Sequence, residues 1–236
     1  MDRAPIQKRK LSDEVRDRLI AEIEGGQLAP GAALPSEREL MELLGVGRPA
    51  IREAMQSLQG LGLIVVRHGE RPRVAEPQLD LLAEQLALTM RHILTHDGRI
   101  LTQLKEARAL LETELARRAA QARTDADLDA LGKILDEQAR HADSFKPFMK
   151  LDGQFHAKLA EISGNDVLAS VVKAIFVWLE RFHTESVRRA GLEELTLSEH
   201  REILAAIKSG NSDDAGRAMN DHLMRANALY QQRHED

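Results

Sequence analysis

Cysteine is absent from this 236-residue chain, which excludes disulfides, thiolate metal centres and a cysteine nucleophile. Aromatic residues make up only 3% of it, against 43% hydrophobic residues in all. The core must therefore be built from Leu, Ala, Ile and Val, a composition that favours helix over strand. No run of about 18 apolar residues occurs, so no membrane span is expected. The charged opening stretch, residues 1–11, has no signal-peptide hydrophobic segment, and a soluble cytoplasmic protein is expected. The net charge of −5 gives no sign of a polyanionic partner, but its distribution does. Residues 1–75 hold 12 Lys+Arg against 11 Asp+Glu, and the remainder 21 against 27. Five arginines and two glutamates lie between Arg48 and Arg73, and charge local to one surface governs phosphate binding more than the total does.

What is present divides into two patterns. The first reads as three helices and two short strands. Ser12 is expected to cap a helix with Asp13 and Glu14 in its first turn and with Val15, Leu19 and Ile23 as its apolar stripe. Gly25-Gly26 ends that helix, and Pro30-Gly31 marks a loop. Ser36 and Glu39 form a capping box for a short helix with Leu40, Leu43 and Leu44 inward, which Gly45 breaks. Pro49 suits the first turn of the next helix, where its missing N–H costs little. That helix buries Ile51, Ala54, Met55 and Leu58 and stops at Gly60 to Gly62. Runs at 63–67 and 71–75, around His68-Gly69-Glu70, predict a hairpin. Two helices joined by a tight glycine turn, with a hairpin behind the second, make a winged helix-turn-helix.

From residue 80 onward there is no strand signal. Apolar residues recur at helical spacing near 80–95, 101–122, 125–142, 145–163, 166–188, 192–209 and 213–232, and Thr124 with Asp127 forms a further capping box. The fold expected is mainly α. A winged helix-turn-helix domain (three helices plus a β-hairpin wing) spans 1–76, a linker with Pro77 spans 77–80, and an all-α bundle of six or seven helices spans 81–236.

Each pattern carries candidate functional residues. Arg48 and Arg52 lie one turn apart at the start of the second helix-turn-helix helix, the part that meets base edges in a major groove. Ordinary solvated arginines would look the same. In the bundle, Asp152 and His156 interrupt the stripe Phe148, Leu151, Phe155, Leu159, Ile162, four residues apart on one face. A carboxylate facing a core has to be paired or bound to metal. His200 falls on the inner face defined by Leu197, Leu204 and Ile207, and His222 on that of Ala215, Met219, Ala226 and Tyr230. One histidine on an apolar face is usually a satisfied core residue, but three helices aiming metal-competent side chains inward form a set. Three imidazoles and a carboxylate suit Zn²⁺, or Ni²⁺ and similar metals. They leave a divalent site with a charge of about +1, which would attract an anion such as a carboxylate effector. Arg108 interrupts the stripe Leu104, Ala107, Leu111, Leu115. A buried guanidinium needs a partner, either a bidentate carboxylate ligand or an internal one, Asp152 or Glu112.

The segments Leu34-Pro35-Ser36-Glu37-Arg38-Glu39-Leu40 and Val46-Gly47-Arg48-Pro49-Ala50-Ile51-Arg52-Glu53-Ala54, with Gly62-Leu63-Ile64 and the His68-Gly69 wing, resemble the N-terminal signature of the GntR family of bacterial regulators over roughly residues 10–75. Within it the sequence is similar to the FadR branch, and its Gly-Arg-Pro helix start and Gly-Glu-Arg wing to a sialic-acid regulator of that branch. The resemblance implies DNA contacts by Arg38, Arg48, Arg52, His68 and Gly69. The second pattern resembles the FCD domain, the C-terminal partner in FadR-type regulators. It implies Asp152, His156, His200 and His222 as metal ligands and Arg108, in Glu106-x-Arg108 with Glu112, as an effector contact. Members without the metal set include the fatty-acid regulator itself, so an acyl-CoA effector is disfavoured.

The function these readings imply is a homodimeric transcription regulator, a repressor rather than an enzyme. It would bind a palindromic or repeated double-stranded operator and respond to a small carboxylic acid, such as a sugar acid or sialic acid, beside a divalent metal. Two alternatives remain open. One is a regulator that senses the metal itself; the other is a metal-dependent hydrolase, for which Glu161 and Glu180 are unplaced candidate bases.

Overall fold

The computed structural model describes residues 9–79, 89–90, 92–179 and 192–231, with side chains to Arg225. The chain divides into two compact units, 1–78 and 79–236, and each is described by itself. No described helix is long and apolar enough to cross a membrane.

The first unit contains α1 (Leu11–Glu24), α2 (Glu37–Leu44), α3 (Arg48–Gly60), β1 (Ile64–Val65) and β2 (Arg73–Val74). α1 starts one residue before the expected cap: Lys10 is its N-cap and makes no side-chain cap bond. Ser12 instead lies buried in the first turn, beside Glu53 of α3, whose carboxyl Lys10 and Ser12 hold below its ordinary value. α2 has the expected reciprocal box, with Ser36 Oγ accepting from Glu39 N–H and the Glu39 carboxylate from Ser36 N–H. It ends at Gly45 with φ +65°, a left-handed conformation that glycine adopts without a Cβ penalty. Leu40 is buried, but Leu43 is 71% exposed, contrary to expectation. Eight residues give barely two turns, and the face that reaches the core carries Leu40, Met41 and Leu44. In α3, Ile51, Ala54, Met55 and Leu58 are buried as expected.

The wing is shorter than the sequence predicts, with Ile64 opposite Val74 and Val65 opposite Arg73. Its far edge is closed by the segment before α2. Gly31 N–H donates to Val74 O, Val74 N–H to Ala32 O and Leu34 N–H to Pro72 O. The wing is thereby fixed to the body, leaving the turn 68–70 exposed.

The labelled elements of the second unit are all helices: α4 (Gly98–Ala122), α5 (Asp125–Arg140), α6 (Phe145–Ile162), α7 (Asp166–Leu179), α8 (Leu192–Ser209) and α9 (Ser212–Gln231). The segment expected at 80–95 falls mostly outside the described residues, although 92–96 is helical with Leu94 buried. The segment expected at 166–188 is described to Leu179. α4 packs against α6, α7, α8 and α9. Its alanines Ala109, Ala116, Ala119 and Ala120 are buried, and such small side chains let neighbouring helices approach closely. Ala107, assigned to the inner stripe, is exposed, and Arg108 and Glu112 occupy the inner face. The core around Phe155, Leu159, Ile203, Ile207, Met219 and Leu223 brings the inner faces of α6, α8 and α9 together.

Candidate metal centre and nucleic-acid interface

His156 on α6, His200 on α8 and His222 on α9 meet in this core. Each offers a ligand nitrogen, and these atoms all lie within 4.8 Å of one another. The ring centroids are 5.2 Å apart for His156 and His200, 5.4 Å for His156 and His222, and 4.8 Å for His200 and His222. All three side chains are buried, as is Asp152, whose Oδ1 lies 3.5 Å from His200 Nε2. Packing holds the rings: His200 stacks on Phe155 at 4.3 Å, and Phe176 of α7 lies 5.2 Å from His156. Gly153 lets α7 come this close, because a Cβ there would stand 3.1 Å from Phe176 Cδ1.

The rear nitrogens of His222 and His200 are committed outward by hydrogen bonds, whereas that of His156 lies against a carboxylate without one. His222 Nδ1 donates to Glu199 Oε2 at 2.7 Å, His200 Nδ1 to Gln138 Oε1 at 3.1 Å, and His156 Nδ1 abuts Glu112 Oε2. The buried Nε2 atoms of His156 and His200 have no hydrogen-bond partner. A buried polar atom without one costs on the order of 1–3 kcal/mol, and a cation would remove that cost. Burial and the neighbouring positive groups push His200 well below its ordinary pKa, and burial lowers His222 against the pull of Glu199. Both are therefore neutral near pH 7, the form that ligates metal.

Arg108 has the internal partner that the sequence allowed. Its Nε donates to Glu112 Oε1 at 2.6 Å, and its guanidinium lies 4.4 Å over the Phe176 ring. Burial alone would raise the Glu112 carboxyl, but Arg108 and then His156 outweigh it and hold it at about 2. Glu112 was legible only as a partner for Arg108. Glu199 and Arg225 carried no signal, since each is defined by a contact between α8 and α9, whereas Gln138 could have been found from its place after Leu131 and Leu135 on the buried face of α5. Of the other histidines, His92 and His96 are exposed, His141 donates to Glu137 O, and His183 and His234 lie outside the described residues.

In the first unit, Arg48 and Arg52 open α3 with 64% of each side chain exposed, and Glu37 of α2 stands 3.8 Å from both. Arg38 is 82% exposed, 3.9 Å from Glu42. His68 and Gly69 occupy the exposed wing turn, where Gly69 takes φ +78°. The recorded contacts of the three arginines are loose ones to carboxylates, so their donors can be transferred to phosphate or base edges at low cost.

Comparison with known proteins bears on both units. Residues 11–74 match bacterial regulatory proteins of the gntR family, and residues 103–225 match the FCD domain. The chain belongs to the GntR family of bacterial regulatory proteins. This GntR regulator is 36% identical to the HTH-type transcriptional repressor NanR of Enterobacter sp. (strain 638) over 231 residues, 97% of this chain and 88% of that one. It is 34% identical to the repressor NanR of Escherichia coli (strain K12), covering 96% and 86%. A solved structure of Streptococcus agalactiae GntR shares 31% identity at a TM-score of 0.60, covering 92% of this regulator and 99% of that chain. The regulator thus joins a DNA-binding winged helix-turn-helix to an FCD effector domain with a buried histidine triad able to hold a metal.

Proposed function

We propose that this GntR regulator represses a catabolic operon and responds to a small carboxylic acid, a sugar acid such as sialic acid, bound beside a divalent metal. Asp152, His156, His200 and His222 would hold the metal, with Zn²⁺ fitting the donor set and Ni²⁺ an alternative. The observation that carries this reading is the pair of buried, unpartnered Nε2 atoms of His156 and His200, in a cluster where the rear nitrogens of His200 and His222 are already hydrogen-bonded. When bound, the metal supplies a positive centre for an anion. Arg108 spends Nε on Glu112, leaving its terminal nitrogens for a bidentate carboxylate. One turn earlier on α4, burial and the nearby Arg108 push Lys105 down to about 8, so an anion there would also favour its charged form. Arg38, Arg48, Arg52, His68 and Gly69 would contact the operator, and two such heads in a homodimer would match a palindromic or repeated site. The linker assigned to 77–80 would join the reading domain 1–76 to the sensing domain 81–236, and the effector would shift the population of DNA-competent states.

Elemental analysis of the purified protein tests this directly when paired with a thermal-shift screen of sugar acids and dicarboxylates. Near one metal per subunit is expected, together with a rise in Tm from one class of acid that also releases operator DNA. Protein that takes up no divalent ion, or takes up as much after His200→Ala as before, would leave the histidines as core residues.

A further inference from the structure

The arrangement behind His222 differs from that behind His200 and parallels the Arg108-held Glu112 beside His156. Glu199 precedes His200 on α8 and reaches across to α9. There its Oε2 accepts the His222 Nδ1 proton at 2.7 Å. Arg225, three residues after His222 on the same helix, engages both oxygens of that carboxylate, Nε on Oε1 and Nη2 on Oε2. Arg225 Nη2 also lies 3.5 Å from Thr196 Oγ1, one turn before Glu199. His200, by contrast, is backed by the neutral amide of Gln138.

We infer that Glu199, clamped by Arg225, is a positioning residue that fixes the tautomer and direction of His222 toward the metal; this rests on the metal reading above. A carboxylate can only accept, so the Nδ1 proton is held on the rear face and the Nε2 lone pair is the one left for a cation. The fork of Arg225 removes the rotational freedom of Glu199, and a bidentate charged pair is stronger than a single contact. The ring then cannot flip without breaking a short hydrogen bond. Outer partners of this kind are worth about 10–100-fold in metal affinity.

Two measurements on the full-length protein test the inference. Zn²⁺ affinity is read by competition with a chromophoric chelator for wild type, Glu199→Ala and Glu199→Gln. Imidazole ¹⁵N spectra of the metal-free wild type report the His222 tautomer. A loss of about 10–100-fold is expected for Glu199→Ala, a smaller loss for Glu199→Gln, which keeps a carbonyl acceptor, and an Nδ1–H tautomer at His222. Equal Zn²⁺ affinity in wild type and Glu199→Ala, or an Nε2–H tautomer, overturns the assignment. Should Glu199→Ala not fold, Glu199→Gln and the wild-type tautomer decide. Absence of Zn²⁺ uptake by the wild type counts against the metal reading alone, because the tautomer still reports on Glu199.

Discussion

The buried pair of Arg108 and Glu112 sets the cost of probing the sensing site. The side chains are 10% and 2% exposed, and removing one partner of such a pair leaves an uncompensated buried charge at about 3–5 kcal/mol. Arg108→Ala is therefore expected to destabilise the protein by about 3 kcal/mol in urea denaturation, and Arg108→Ala with Glu112→Gln by clearly less than the sum of the singles. Additive losses would show that the pair does not interact energetically. The double variant then becomes the fair background for asking whether Arg108 contacts an effector. At this scale the sequence was informative where a residue contradicted its own helix face. Asp152, His156, His200, His222 and Arg108 each break an apolar stripe, which is a local property of the chain. Gln138 does the same, following Leu131 and Leu135 on the buried face of α5, whereas Glu199 breaks nothing in its own helix. The importance of Glu199 exists only once α8 and α9 are packed, and no spacing rule within one helix contains that information.

Helix starts were legible where a reciprocal box marks them, and missed where Asp97, Asn165 and Asn211 accept the first free N–H groups alone. Both reciprocal boxes, Ser36 with Glu39 and Thr124 with Asp127, occur as expected, whereas Ser12 does not cap because the preceding residue already begins the turn. Outward positions were harder: Leu43 and Ala107 follow the periodicity but lie at the margin of faces that two-turn α2 and alanine-rich α4 turn only narrowly toward the core. The start of α5 also carries a pH dependence. Lys158 of α6 donates to Asp127 at 2.8 Å, and with the Thr124 contacts this holds the Asp127 carboxyl down at about 2, against 3.8 ordinarily. A carboxyl depressed in the folded state stabilises above its unfolded value, and that contribution fades as pH falls through the folded one. Asp127→Asn is thus expected to be less stable than wild type from pH 5 to 7, with the difference shrinking between about pH 4 and 2. A constant gap in chemical denaturation across that range would assign the loss to packing.

For the whole molecule, charge is partitioned by task. Residues 1–75 are near balance and the rest carries the negative excess, so the proposed attraction to DNA would come from a few local arginines rather than from a global field. Removing one cation from a phosphate lowers the salt dependence of binding by about one unit of log K per log salt. Arg52→Ala should therefore weaken operator binding and flatten the salt slope by about one for each reading head, as titrations between 50 and 200 mM salt would register. An unchanged slope would remove Arg52 from the phosphate interface. In the second unit, α4 to α9 each place at least one side chain at or against the histidine cluster: Glu112, Gln138, His156, Phe176, His200 and His222. No single helix can come loose while the site stays intact. Occupancy of such a site is inseparable from folding: every tenfold excess of a ligand over its Kd adds about 1.4 kcal/mol to the folded state. The sensing unit would then be most easily unfolded, and most open to proteolysis, when its site is empty, tying the lifetime of the regulator to the supply of what it binds.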